Sequence, residues 1–187
     1  MTQTPAEKPF VALNIAVLTV SDTRVFDDDR SGTTLVDRLV AAGHSLVARD
    51  IVPDEVAAIR GKVEGWIADP GIDVILTTGG TGFTGRDVTP EAVEPLFEKR
   101  MEGFSTVFHL VSFGKIGTST LQSRATAGVA NATYVFCLPG SPGACRDAWD
   151  EILVHQLDVR HRPCNFVEIL PRLDEHLKRP KAKGATV

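Results

Sequence analysis

At 187 residues, with 43% hydrophobic and 24% charged side chains, the chain has the make-up of one soluble globular domain that can bury a core without disulfides or metals. A net charge of -4 speaks against a nucleic-acid binder, which concentrates basic residues on one surface, and leaves any phosphate-rich substrate to be held by backbone amides, a few arginines or a metal. Cys137, Cys145 and Cys164 match neither a zinc spacing nor a disulfide framework, the opening MTQTPAEKPF has no apolar targeting core, and no run approaches the roughly 18 apolar residues of a membrane span. A reducing, cytoplasmic setting away from membranes is expected.

Residues 1–12 read as a polar lead-in, 13–170 as the domain and 171–187 as a basic, flexible tail. NIAVLTVSD (14–22) is a short β-branched apolar run, as in a strand covered on both faces. A polar loop follows, then TTLVDRLVAAGH with Leu35, Val36, Leu39 and Val40 on one helical stripe and Gly43 as its stop. SLVARDIVP is a second strand. DEVAAIRGKVEGWIAD is a second helix, with Asp54 standing where an N-cap belongs. DVILTTGG (73–80) is a third strand running into glycines, and Thr89-Pro90-Glu91 opens a helix reaching Phe97. After a less regular stretch, TSTLQSRATAGVANAT is predicted to be a helix ending near Asn131. TYVFCLPG is a fourth strand and GACRDAWDEILVHQL a long last helix.

Strands and helices in alternation predict a three-layer α/β sandwich with a mostly parallel sheet. Ligands of such sheets bind beyond the carboxyl ends of the strands. At those ends the sequence places SD, VPDE, TGGTG and LPGSPG. All of the unusual chemistry falls on one rim.

Gly80 to Gly85 spells G-x-G-x-x-G, but it follows the third strand, its helix starts only at Thr89, and no strand-end acid follows at the required distance, so a nicotinamide-dependent oxidoreductase is a poor fit. No P-loop is present. Four glycines in the seven residues from Gly79 to Gly85 still suit a nest of N–H groups around an anion, to which Thr81 adds a hydroxyl; a tight turn that binds nothing is the plainer alternative. Asp87 has its own plain explanations, a turn cap or a pair with Arg86, as Asp54 has in helix capping. Together on the ligand rim they suggest a hard divalent cation bridging carboxylates and phosphate. Ser21 and Asp22 end the first strand, Pro139-Gly140-Ser141-Pro142 feeds a helix N-terminus, and Ser123 and Arg124 are expected on a helix nearby. The histidines share no ligand spacing and read as structural or solvated.

LTVSDTR, VPDE, TTGGTG, RDVTPEA, LQSRA and LPGSPGA occur in the order seen in the MoaB/MogA family of molybdenum cofactor biosynthesis proteins, and IGTSTLQSRATAGVANAT and RPCNF resemble its MoaB branch. The resemblance covers about residues 12–170. It implies a molybdopterin-binding α/β fold and the joining of molybdopterin to AMP with ATP and Mg²⁺, the alternative being a non-catalytic molybdopterin-binding protein of the same pathway. It also implies that Asp54 and Asp87 are the essential, metal-holding aspartates. Phosphate and pterin contacts are implied for Thr78, Gly79, Gly80, Thr81, Gly82, Ser123 and the Pro139–Pro142 loop, with Ser21 and Asp22 at the first-strand site. A homo-oligomer, hexamer or trimer, is expected, as is contact with other proteins of the pathway.

Overall fold

Strand β1 (Asn14–Val20) alternates between two interiors: Ile15 and Val17 enter one apolar cluster, Ala16 and Leu18 the other, and all four are fully buried. That is what a continuous apolar run means in a sheet covered on both faces. The computed structural model describes residues 8–178. Its six strands lie in the order β2 (Ser45–Val52), β1, β3 (Val74–Thr78), β6 (Thr133–Leu138), β5 (Thr126–Ala130) and β4 (Lys99–Arg100). The first four are parallel; β5 runs antiparallel to β6, and β4 to β5.

On one face pack α1 (Arg30–Ala41), α4 (Glu102–Ile116) and α5 (Pro142–Ala148), the last continuing through a π turn at Trp149–Leu153 into α6 (Val154–Gln156). Leu35, Leu39, Phe104, Phe108, Trp149 and Leu153 fill that layer. On the other lie α2 (Val56–Ile67) and α3 (Thr89–Val93), with Ile59, Val63, Ala92 and Val93 against the sheet. The three-layer sandwich with a mostly parallel sheet is therefore present.

The stretch expected as a helix up to Asn131 is not one. It splits into a 3₁₀ turn (Gly117–Gln122), an extended link carrying Ser123 and Arg124, and the buried strand β5. Asn131 and Ala132, with φ of 45° and 63°, form the two-residue turn of a β5–β6 hairpin, a geometry that needs positive φ at both central positions. Tertiary packing overrides the helix-forming alanines: a Cβ on Gly128 would lie 2.4 Å from the Phe97 ring, which sits flat on the strand. The less regular stretch before it holds the longest helix, α4. Its apolar residues run all the way round, so no clean period marks it.

Two described residues near the expected lead-in and tail pack on the rest of the fold. Phe10, in the lead-in, lies 5.2 Å from His44 ring to ring, and Leu173, in the tail, packs on the core. A short helix, α7 (Phe166–Ile169), and a last turn, α8 (Glu175–Lys178), complete the described chain; the final basic residues, 179–187, lie outside it.

One carboxylate in the polar loop after β1 is a structural tie. Asp29, 2% exposed, caps α1 by accepting from the Gly32 N–H, and also accepts from the Thr19 hydroxyl at 2.7 Å and the Arg49 guanidinium at 2.9 Å. It thereby joins β1, α1 and β2. Burial works against its charge, but Arg49, Gly32 and Thr19 outweigh burial and hold its carboxyl below the usual carboxylate range. Asp29→Asn is expected to cost about 3 kcal/mol of unfolding free energy at neutral pH by stranding Arg49, measured by urea denaturation. With its pKa lowered on folding, Asp29 stabilises the fold above its unfolded value of 3.8. That contribution disappears as pH falls through the folded value, so the two proteins should converge in acid.

Candidate functional site

The connection from β1 to β2 goes one way along the sheet and that from β2 to β3 returns past β1, so the order of strands reverses between β1 and β3. Beyond such a reversal the two connections diverge and leave a crevice. Here it is bounded by Ser21-Asp22 after β1, Pro53-Asp54 after β2, the glycine loop after β3 and Pro139–Pro142 after β6.

The glycine loop leaves β3 through a gap with no room for side chains. A Cβ on Gly79 would lie 2.1 Å from the Val20 carbonyl oxygen; one on Gly80 would lie 2.4 Å from Thr89 Oγ1 and 3.0 Å from Asp54 Oδ1. Both glycines have positive φ, 108° and 63°, which other residues adopt only with strain. The loop's carbonyls are all turned inward. Gly79 accepts from Thr89 Oγ1, Gly80 from the Thr89 N–H, Thr81 from the Arg124 N–H and Gly82 from Arg124 Nε. The partial negative charges that would repel an anion are thus held by the protein itself. Thr78 Oγ1 is likewise directed inside, to the Pro139 carbonyl at 2.9 Å.

Asp54 is not the helix cap it resembled. The N-cap of α2 is Glu55, and no side chain makes the capping bond. Asp54 instead faces the glycine loop, its N–H donating to Asp22 Oδ1 at 3.1 Å. Partial burial first, then the charges of Asp22 and Asp87, raise its pKa above the ordinary carboxylate value. Asp87 presses on the same loop two residues further on, its Oδ2 2.8 Å from where a Gly82 Cβ would stand. Partial burial resists its charge, but the Thr84 hydroxyl (2.6 Å) and N–H (2.8 Å), with the Gly82 N–H, outweigh that and hold its pKa down. The two aspartates therefore face one loop and feel each other's charge.

Ser21 closes a local turn by accepting from the Thr23 and Arg24 N–H groups, and Asp22 is held by both arms of Arg86, at 2.9 and 2.7 Å. Arg86 thus pairs with Asp22, not with Asp87. Ser141 caps α5 through the Ala144 N–H, Pro142 takes its first position, and Gly140 packs against Gly79. Arg124 does not lie on a helix. Its guanidinium is spent on the Gly82 and Asp87 carbonyls and Glu91, with Phe83 stacked beside it, so it braces the loop. Ser123 offers a hydroxyl that is buried without a hydrogen-bond partner among the described residues, and so does Thr120 in the preceding turn. An orphaned buried hydroxyl calls for a partner from outside the chain, a water or a ligand. His109 holds the Ser123 carbonyl at 3.1 Å, and His44 accepts from the Leu13 N–H; both are structural, as expected. The G-x-G-x-x-G spelling is not a dinucleotide turn, because α3 begins only at Thr89 and Gly85 stands in open space.

Among the described residues, no three His, Cys, Asp or Glu side chains converge into a metal cage. A hard cation with one or two carboxylates and its other ligands from phosphate and water fits the donors present, Asp54 and Asp87. Two cavities open on the same rim, one of about 320 Å³ bounded by Ser21, Asp22 and Pro53 and one of about 460 Å³ bounded by Arg30, Thr33, Pro142 and Arg146. Sequence reading did not single out Thr84 (which holds Asp87), Thr120, or the cavity-lining Arg30 and Arg146. Only the first left a signal, its three-residue spacing from Asp87, which is that of a side chain closing its own turn.

Residues 16–159 match the family described as "Probable molybdopterin binding domain". The chain is 54% identical to molybdenum cofactor biosynthesis protein B of Escherichia coli K12 over 157 residues, covering 84% of this chain and 92% of that one. It is 43% identical to the protein of the same name from Bacillus subtilis over 142 residues, 75% and 84% of the two chains. A crystal structure of a molybdenum cofactor biosynthesis protein B superposes with a TM-score of 0.79 at 35% identity, over 91% of this chain and 99% of that one. The rim loops, the fold and these likenesses agree: the chain belongs to the MoaB/MogA family of molybdenum cofactor biosynthesis proteins.

Proposed function

We propose that the protein acts in molybdenum cofactor biosynthesis by joining molybdopterin to AMP, consuming ATP with Mg²⁺ and releasing pyrophosphate. The observation that carries this reading is the placement of Asp54 and Asp87 against one glycine loop whose carbonyls all point inward. Carboxylates beside an anion seat make sense when a cation lies between them and the phosphates.

In this reaction an oxygen of molybdopterin's terminal phosphate attacks the α-phosphorus of ATP. A new P–O–P bond forms, and pyrophosphate departs with the electrons of the broken one. The nucleophile is already ionised at neutral pH, so no side chain has to remove a proton. What remains for the chain is alignment and neutralisation of charge. Asp54 and Asp87 would hold the magnesium ion, which when bound draws negative charge from the phosphates. Thr84 fixes the Asp87 carboxylate. In the loop the Gly79 N–H is bonded to the Leu138 carbonyl and the Gly82 N–H to Asp87, so the amides of Gly80 and Thr81 are the ones assigned to phosphate, with Ser123 assigned to the pterin.

A second reading, a molybdopterin-binding protein without transferase activity, has one observation in its favour. The Asp87 carboxylate is already engaged by Thr84 and Gly82, as in a purely structural turn. Incubation with molybdopterin, ATP and Mg²⁺ followed by mass analysis separates the two. Adenylyl-molybdopterin is expected, and Asp87→Asn, folded by circular dichroism, should abolish it. Bound pterin without adenylylated product would establish the second reading.

The partner expected for the chain is further copies of itself. On α4, Val107, Leu110, Phe113 and Ile116 are 44–68% exposed, and Leu121 beyond the helix is 70% exposed. A helix apolar on every side is normally covered on every side. Cys137, Cys145 and Cys164 are free thiols, and no helix among the described residues is long and apolar enough to cross a membrane. Sedimentation should show a trimer or hexamer that Leu110→Glu with Phe113→Glu converts to monomer. A monomeric wild-type protein would remove this part of the reading.

A further inference from the structure

Arg86 crosses the mouth of the crevice from the β3 loop to Asp22 after β1, gripping both carboxylate oxygens. With 58% and 39% of the two side chains exposed, the pair contributes little to stability. Its placement is informative for another reason. Asp22 Oδ1 also accepts from the Asp54 N–H, so the guanidinium is joined through one carboxylate to the backbone of a candidate metal-holding residue. The charges of Asp54 and Glu55 act on it as well. It is also the immediate chain neighbour of Asp87. An acidic rim facing an incoming polyphosphate thus carries its own positive charge on a flexible stem. The guanidinium fork fits a phosphate as well as it fits a carboxylate.

We propose that Arg86 is a tethered counter-cation: in the ligand-free protein it competes with divalent cations for the aspartates of the rim, and when nucleotide arrives its fork passes from Asp22 to a phosphate. The identity of the nucleotide rests on the proposed function; the competition does not. Two effects of opposite sign follow. Removing the charge should strengthen metal binding in the absence of nucleotide and weaken nucleotide binding in the presence of metal. A residue that merely held the loop in shape would, when removed, weaken both.

The test titrates the full-length protein with Mn²⁺ alone, read by the electron paramagnetic resonance of free Mn²⁺, and then with ATP in saturating Mg²⁺, read by calorimetry. Arg86→Gln is expected to bind Mn²⁺ about fivefold more tightly than wild type, the order of effect of one unit charge on a nearby divalent cation through a largely solvated path. It should bind ATP about tenfold more weakly, for loss of a charge-assisted pair of hydrogen bonds. Arg86→Lys, which keeps the charge and loses the fork, should return Mn²⁺ affinity to within about twofold of wild type. Circular dichroism confirms that both variants fold. Mn²⁺ binding by Arg86→Gln that is equal to or weaker than wild type overturns the proposal, as does failure of both proteins to bind Mn²⁺. Adenylyl transfer is scored separately. Competition without product defeats the transferase reading and leaves this inference standing; product without competition does the reverse.

Discussion

The site depends on a gap too narrow for a β-carbon. Where β3 leaves the sheet, the Val20 carbonyl approaches so closely that any side chain at position 79 would overlap it. This fixes the path of the next residues, which turn under Thr89 and bring Asp54 and Asp87 to bear on one loop. The constraint comes from backbone sterics at the strand-order reversal, and it acts before any ligand is present. The rim is in this sense pre-organised, and binding need not supply the ordering entropy of the loop.

An acidic protein that handles anions has an electrostatic difficulty, and the rim answers it locally. The loop's carbonyl dipoles are consumed by Thr89 and Arg124, the Asp22 charge by Arg86, and part of the Asp87 charge by Thr84 and Gly82. Asp54 is the exception. Its pKa is raised by burial and by its acidic neighbours, so of these carboxylates it is the one whose charge is least compensated. A carboxylate in that condition gains most from a cation.

Much of this was legible in the sequence, and the reasons are physical. The strands β1, β3 and β6 are buried on both faces, so their apolar runs were continuous and unmistakable, and the loops at their ends could be placed on one rim from chain order alone. Strand β5 was hidden because Thr126–Ala130 is short and rich in alanine and glycine, and its assignment is settled by the Phe97 ring and the hairpin turn, not by local preference. Helix α4 was hidden because it is apolar all round. Asp29 sat in a run of acids that looked like solvated loop, and its burial depends on Arg49, twenty residues on. The grip of Arg86 on Asp22 spans 64 residues, a distance no local pattern encodes. Local periodicity reports burial well; it does not report which charges will meet.

Arg124 gives the antiparallel edge of the sheet a second significance. It stands just before β5, yet its backbone and guanidinium hold Thr81, Gly82, Asp87 and Glu91. The strand that follows it is therefore a strut as well as a covering for the core. A chain from which the segment between α4 and β6 was deleted would keep the four parallel strands and every residue of the glycine loop, and lose the support that Arg124 gives the loop. The smallest unit able to hold this rim in shape thus includes the link and hairpin between α4 and β6 as well as the segments that supply the rim loops.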